Sequence, residues 1–366
     1  MQSTKKLIIG IIGDGQLALM LAESLMRKNL HFLCLLQSEH SPMERLFPDY
    51  VTRDQKKFVT DCDVFTLENE FLKSSELATL LGDKKDSLFP ELQSYRHFAD
   101  KISQRTLFKE LNLPSPHFQV LHSLTDKLTL AFPLIAKAAT GGYDGKGVRV
   151  VSSPEMLQKT AQDFGLPLLL EEKVKLKTEI AQGFVKTHDG KLVLLPLVET
   201  LQQDGICHLV QYPAKVSDQV RLSVETAIAR LYGCLTGIFN FEFFVDENDQ
   251  VTINEGAPRP HNSQHLTIDA SSASQFDLLA EALSNRPFSK MVTSPSIMVN
   301  ILGQSHGNDV PLSLPDLPDR VKVTPKLYGK EKCAPGRKMG HVNIVDESGT
   351  YDLKSLGEKI LREYRL

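Results

Sequence analysis

The sequence predicts an α/β protein in which a small parallel unit opens the chain, a larger middle region of strands and helices follows, and a short C-terminal region closes it. Three stretches carry that expectation. Residues 7–27 run from an apolar strand through a glycine turn into a helix. Residues 132–150 run from a lysine-ended strand into a glycine-rich loop, and residues 241–265 hold two strands that bear opposed carboxylates.

Residues 7–12 form a continuous apolar run of the kind buried in parallel sheets. Gly13-Asp14-Gly15 makes a tight turn, and Leu17, Met20, Leu21 and Leu25 mark one face of a helix over 16–27. Residues 31–36 give the next strand. Gly13-x-Gly15-x-x-Ala18 is a weak match to the dinucleotide fingerprint, with Glu39 placed to reach a ribose. The same glycines equally serve to let strand turn into helix. Another strand at 63–66 precedes Glu68 and Glu70, and residues 88–90 close a parallel α/β unit.

The spacing predicts a helix over 94–111, ended by the linker Asn112-Leu113-Pro114-Ser115-Pro116. Lys137 then ends an apolar strand, and four glycines follow within seven residues: Gly141, Gly142, Gly145 and Gly147. A cation beside so flexible a backbone suits phosphates, whose oxygens take main-chain amides. A β-hairpin with an Asp-Gly turn is the alternative, but glycine this dense costs entropy that a plain hairpin need not spend. Residues 168–174 read as a strand ending in acids, with Glu179 just beyond; its edge suits an adenine and a ribose or is simply an edge. Strands at 180–184 and 191–198, a helix at 218–232, a serine-capped helix at 271–283, a strand at 295–302 and a proline-broken connection at 308–318 follow. Lys330 and Arg337 flank a short turn where they converge on a phosphate or lie solvated.

Phe241-Glu242-Phe243-Phe244-Val245 and Val251-Thr252-Ile253-Asn254-Glu255 read as a hairpin that sets Glu242 against Glu255. Hard oxygen ligands in that pairing suit Mg²⁺, which takes its other ligands from water and phosphates. Pro258 and Pro260 fix the backbone of Arg259, and His261, Asn262 and His265 crowd behind it.

The whole composition narrows the field. A chain of 366 residues can bury a large core, and its net charge of -3 gives no broad attraction to nucleic acid or anionic membrane. Its five cysteines are scattered, as expected for reduced thiols in a cytosol. Lys5-Lys6 and the following apolar run look like a signal peptide's start, but Gly13 ends the run too soon. No stretch approaches a membrane span.

The glycine loop, Asn254-Glu255-x-Ala257-Pro258-Arg259-Pro260-His261-Asn262-Ser263, and Tyr328-Gly329-Lys330 with Gly336-Arg337-Lys338-Met339-Gly340-His341 together resemble one family. The chain is similar, over nearly its full length, to the N5-carboxyaminoimidazole ribonucleotide synthetases, ATP-grasp ligases of purine biosynthesis. The resemblance implies an ATP-grasp fold: a Rossmann-like domain at 1–93, an ATP-grasp domain at 94–290 with a lid at about 116–171, and a C-terminal domain at 291–366. It implies ATP, Mg²⁺ (or Mn²⁺) and bicarbonate, acting on 5-aminoimidazole ribonucleotide to give the N5-carbamate, ADP and phosphate. A cytoplasmic homodimer, with transient hand-over to the downstream mutase, goes with it.

By the same resemblance, Lys101 and Lys137 would bind the ATP phosphates under a loop of Gly142, Tyr143, Asp144, Gly145, Lys146, Gly147 and Val148. Glu171, Glu172, Lys173 and Val174 would form the adenine hinge, Glu179 would hold the ribose, and Gln202 stands near the nucleotide where histidine is common. Glu242 and Glu255 would bind the metal, supported by Asn254. Arg259, His261, Asn262 and Lys330 would surround bicarbonate, while Tyr143, Asp144, Lys146, Lys330 and Arg337 would hold the ribonucleotide. Asp144, Arg259, His261 and Lys330 would act in catalysis, with Asp144 or His261 taking the amine proton. The chain departs from the family at Ala18-Leu19 (usually Gly-Arg), Gln264 (Gly), and Leu279 and Glu281 (His and Arg), besides Gln202. None of these removes a metal carboxylate or the phosphate lysine.

Three other readings stay open on the sequence. A nicotinamide-dependent oxidoreductase would use the Gly13 fingerprint, and a non-catalytic nucleotide-binding relative would account for the substitutions. An ATP-grasp ligase for another acid, such as formate, would keep Lys330 and Arg337 for a ribonucleotide phosphate.

Overall fold

Ile8–Ile12 forms the expected buried strand, paired in parallel with His31–Leu35 on one side and Val64–Leu67 on the other. Val51–Thr52 completes a four-stranded parallel sheet. The structure, a computed structural model, describes residues 6–141, 147–308 and 312–366. The Gln16–Arg27 helix occupies the expected residues and packs Leu17, Met20, Leu21 and Leu25 into a core shared with Leu278, Leu279 and Leu283 of the Gln275–Leu283 helix.

The helix expected over 94–111 is broken. A turn of helix at Leu92–Tyr95 runs into a 3₁₀ turn at Arg96–Phe98, and a separate helix spans Lys101–Glu110. Asp100 causes the break: its backbone is extended and its carboxylate accepts the Ser103 N–H at 2.7 Å, capping a new helix. Lys101 therefore starts a helix rather than riding in the middle of one. The helix expected from Ser271 likewise begins later, because Ser274 and Asp277 form a reciprocal capping box ahead of Gln275–Leu283.

The central sheet has nine strands and is antiparallel. Its order is Val251–Ala257, Gly237–Asp246, Leu176–Lys186, Val198–Gln203, Ile206–Tyr212, Ser296–Leu302, Lys338–Val345, Lys322–Leu327, with Leu192–Leu194 joined to Leu176–Lys186. Three strands after residue 291 thus prolong this sheet, while Gly307–Asn308 pairs with Lys332–Cys333 apart from it. A second antiparallel sheet, ordered Phe118–Leu121, Leu168–Glu172, Leu134–Ala138, Val148–Val151, has its own core beneath the Pro154–Phe164 helix.

Gly237–Asp246 positions the site by strict alternation. Phe239, Phe241, Phe243 and Val245 pack with Phe98, Phe108 and Phe184 under the Asp218–Cys234 helix, which leaves Asn240, Glu242 and Phe244 on the other face. The Phe241 ring lies 6.0 Å from both Phe98 and Phe184, centroid to centroid. Phe241→Ala is expected to lower stability by about 3–5 kcal/mol in urea unfolding, the cost of emptying a packed aromatic site; a loss under ~1 kcal/mol would mean that the cluster is not what supports the strand.

Candidate active site

Glu242 faces Glu255 across the two strands, as expected, but the register then slips. Phe243 pairs with Ile253, so Asn254 is the extra residue of a β-bulge, a feature that re-aims side chains. A regular strand would send Asn254 and Glu255 to opposite faces; here both meet cations. Asn254 Oδ1 accepts from Lys137 Nζ at 3.1 Å, and Glu255 Oε2 accepts from Lys101 Nζ at 2.9 Å. Glu179, opposite Phe244 on the neighbouring strand, shares the face of Glu242.

Three carboxylates so close disfavour one another's charge. Burial, then Glu255 and Glu179, raise the Glu242 carboxyl, while Lys101 holds Glu255 below the usual range against its burial. Burial and Glu255 push Glu179 up to about 7. A divalent cation between Glu242 and Glu255 would relieve that repulsion, so the donors fit Mg²⁺. Among the described residues no cluster of three or more His, Cys, Asp or Glu side chains forms a ready metal cage, and two carboxylates leave room for phosphate oxygens and water.

Behind the carboxylates lies a buried charge triad. The Glu171 carboxylate pairs with Arg105 and with Lys137, whose Nζ is 2.7 Å away. Burial would raise Glu171, but Lys137 and Arg105 outweigh it and hold the group below the usual range. Sequence reasoning did not single out Arg105; its one signal is a place four residues after Lys101, on the same helix face. Along the hinge, Glu172 and Lys173 are exposed, Val174 is half-buried, and a cleft of about 430 Å³ opens beside Glu172 against His117, Phe118 and Leu130. Of the glycine loop, Gly147 and Val148 are described and Val148 opens the Val148–Val151 strand; Gly142, Tyr143, Asp144, Gly145 and Lys146 lie outside the described residues.

Arg259 is held from both ends. Its guanidinium forks onto Glu70, with Nη2 to Oε1 at 2.8 Å, and its carbonyl accepts from Asn240 Nδ2 at 2.8 Å. His261 Nδ1 lies 2.9 Å from the Ser263 hydroxyl and 3.3 Å from the Ser263 N–H, and its Nε2 is 3.8 Å from Glu242. Burial, then Arg259 and Lys338, pull this histidine down to about 3, and it is neutral at physiological pH. Asn262 turns inward, exchanging hydrogen bonds with Asn300 at 2.9 and 2.6 Å. Lys330 donates to the Lys338 carbonyl at 2.6 Å, and exposed Arg337 to the Lys332 carbonyl at 2.5 Å.

The dinucleotide reading fails on geometry. Glu68 occupies the Gly13-x-Gly15-x-x-Ala18 turn: its Oε2 accepts the Ala18 N–H at 3.0 Å, and a Cβ on Gly15 would strike its carboxylate. An acid fills the helix N-terminus where a pyrophosphate would sit. Glu39 is exposed. The other departures from the family have local partners: Gln264 donates to the Pro196 carbonyl at 3.0 Å, Glu281 pairs with Lys28 at 2.7 Å, and Leu19 and Leu279 are core residues. Gln202 lies half-buried where the Val198–Gln203 strand slips register.

No helix among the described residues is long and apolar enough to cross a membrane, and the five cysteines are free. Family models match along the chain: a ribonucleotide synthetase preATP-grasp domain at residues 6–96, an ATP-grasp domain at 106–276 and a phosphoribosylaminoimidazole carboxylase C-terminal domain at 296–351. An N5-carboxyaminoimidazole ribonucleotide synthase of Synechococcus elongatus is 32% identical over 92% of this chain and 89% of its own. A phosphoribosylaminoimidazole carboxylase of Saccharomyces cerevisiae is 34% identical over 93% of this chain but 64% of its own length, so the chain spans a little under two thirds of that relative. The crystal structure of N5-carboxyaminoimidazole synthase from Aspergillus clavatus, in complex with ADP and 5-aminoimidazole ribonucleotide, is 26% identical and covers 98% of this chain and 97% of its own with a TM-score of 0.81. The chain belongs to the N5-carboxyaminoimidazole ribonucleotide synthase family of ATP-grasp proteins.

Proposed function

We propose that this protein joins bicarbonate to 5-aminoimidazole ribonucleotide at the expense of ATP, giving N5-carboxyaminoimidazole ribonucleotide, ADP and phosphate. The observation that carries the reading is the bulge, which aims Glu255 and Asn254 at Lys101 and Lys137 while Glu242 faces Glu255. Such an array of paired acids and lysines is suited to a nucleotide triphosphate and its metal. Bound Mg²⁺, or Mn²⁺, held by Glu242 and Glu255 would neutralise phosphate charge as the phosphoryl group moves.

This chain's residues supply the rest. Lys101 and Lys137 leave their carboxyl partners for the phosphates of ATP, under the loop of residues 142–148. The hinge of residues 171–174 and Glu179 take adenine and ribose, with Gln202 nearby. Arg259 and Lys330 hold bicarbonate, whose oxygen attacks the γ-phosphorus in line and expels ADP. The resulting carboxyphosphate breaks down to CO₂ and phosphate in a closed site, where the ribonucleotide's exocyclic amine attacks before water does. The amine proton goes to Asp144 or, through a relay, to His261. Asn262 acts by fixing the loop through Asn300. Tyr143, Lys146, Lys330 and Arg337 hold the ribonucleotide.

The domain division at 93/94 and 290/291, a lid at about 116–171, a cytoplasmic homodimer and hand-over to the downstream mutase belong to the same reading. Bicarbonate labelled with ¹⁸O tests it. One labelled oxygen per released phosphate is expected, because the attacking oxygen stays on phosphorus; unlabelled phosphate would mean that water is the nucleophile. Lys330→Met is expected to raise KM for both ribonucleotide and bicarbonate about tenfold or more, the loss of one charge-assisted contact. Initial rates check it, and unchanged KM values would remove Lys330 from the site.

A further inference from the structure

Val251–Ala257 is the outermost strand of the nine-stranded sheet, so half of its N–H and C=O groups need partners from outside the sheet. The Lys101–Glu110 helix supplies them. The Gln104 carboxamide closes on both main-chain groups of Gly256, accepting the N–H at 2.9 Å and donating to the carbonyl at 2.9 Å. Arg105 donates to the carbonyls of Ile253 at 2.9 Å and Asn254 at 2.8 Å. Both side chains are buried, and the Ile253 N–H finds the Pro114 carbonyl at 2.7 Å.

These bonds fall on the residues that flank Glu255 and on the bulge itself. A bulge leaves its extra residue out of the ladder, so the direction of Asn254 and Glu255 is poorly fixed by strand pairing alone. Gly256 lets the strand lie close: a Cβ there would come within 2.6 Å of the Phe241 ring and 2.8 Å of Phe98. Arg105 also pairs with Glu171, which holds Lys137. One helix therefore sets the metal carboxylate and, through Glu171, the phosphate lysine.

We infer that Gln104 and Arg105 are positioning residues for the metal-dependent step: they clamp the open edge of the bulged strand and so fix the aim of Glu255. The inference rests on the proposed role of Glu255 as a metal ligand. A residue that orients a ligand affects metal affinity, whereas one that only supports the fold changes the amount of active protein.

The test is the Mg²⁺ dependence of ADP release in the full chain at saturating ATP, ribonucleotide and bicarbonate, together with Mn²⁺ binding to the ADP complex read by electron paramagnetic resonance, which the Gln104 variants are expected to weaken about 10-fold or more and whose wild-type value in them would overturn the inference. Gln104→Met keeps the volume and removes both bonds to Gly256. The Mg²⁺ concentration for half-maximal rate is expected to rise about 10-fold or more, with most of kcat recovered at high Mg²⁺ and KM for the ribonucleotide unchanged. Gln104→Asn, too short to span both groups, is expected to shift it in the same direction and serves if the methionine variant does not fold. Thr106→Ala, on the exposed face of the same helix, is the control and should match the wild type. A variant with lowered kcat and wild-type Mg²⁺ half-saturation would overturn the inference. A wild-type rate indifferent to Mg²⁺ would instead overturn the metal role of Glu255.

Discussion

Glu255→Gln is expected to cut ADP release by about 100-fold or more while leaving the protein folded. The substitution keeps the shape of the side chain and its hydrogen bond from Lys101, and removes only the charge that a metal requires. Metal neutralisation of a transferring phosphoryl group is worth several kcal/mol, and each 1.4 or so is about tenfold in rate. Steady-state ADP release, with thermal unfolding as the check on folding, measures it. Wild-type turnover would remove Glu255 from the metal site and leave the opposed pair as a structural coincidence.

The second large effect lies beneath the site. Glu171→Ala is expected to destabilise the fold by about 3–5 kcal/mol, because it leaves Lys137 and Arg105 buried together with no counter-charge. The pH dependence follows from the sign of the shift. Glu171 is held below its ordinary range in the folded protein, so its contribution is present above the unfolded-state value, about 4.3, and is lost as the pH falls through the folded one. The gap between wild type and variant in urea unfolding should therefore be full at pH 7 and narrow in acid. A gap under ~1 kcal/mol at pH 7 would show that the triad is not holding the hinge and the phosphate lysine together.

Much of this was open to a reader of the sequence, for physical reasons that differ between elements. The run 7–12 is apolar on both faces, which only a covered parallel strand explains, and Gln16–Arg27 carries its helical stripe plainly. The pairing of Glu242 with Glu255 follows from two β-rich runs and a polar turn. The bulge at Asn254 does not, since an extra residue leaves the alternation of the strand locally ambiguous. Asp100 did carry a signal, an N-cap residue in front of a helical run, and the broken helix over 94–111 follows from it. Long-range partners were hidden. Glu68 fills the Gly15 turn from a place 50 residues beyond Ala18, and Arg105 reads as one more solvated helix cation until the fold buries it against Glu171.

The most direct measurement is ADP release from ATP and Mg²⁺ with and without 5-aminoimidazole ribonucleotide, in buffers supplied with or stripped of bicarbonate. Release that needs bicarbonate and rises strongly with the ribonucleotide is the predicted result, and it would show that Ala18, Gln202, Gln264 and Glu281 are compatible with turnover. ATP binding with no response to either substrate would contradict it and mark the chain as a nucleotide-binding relative or a ligase for a different acid.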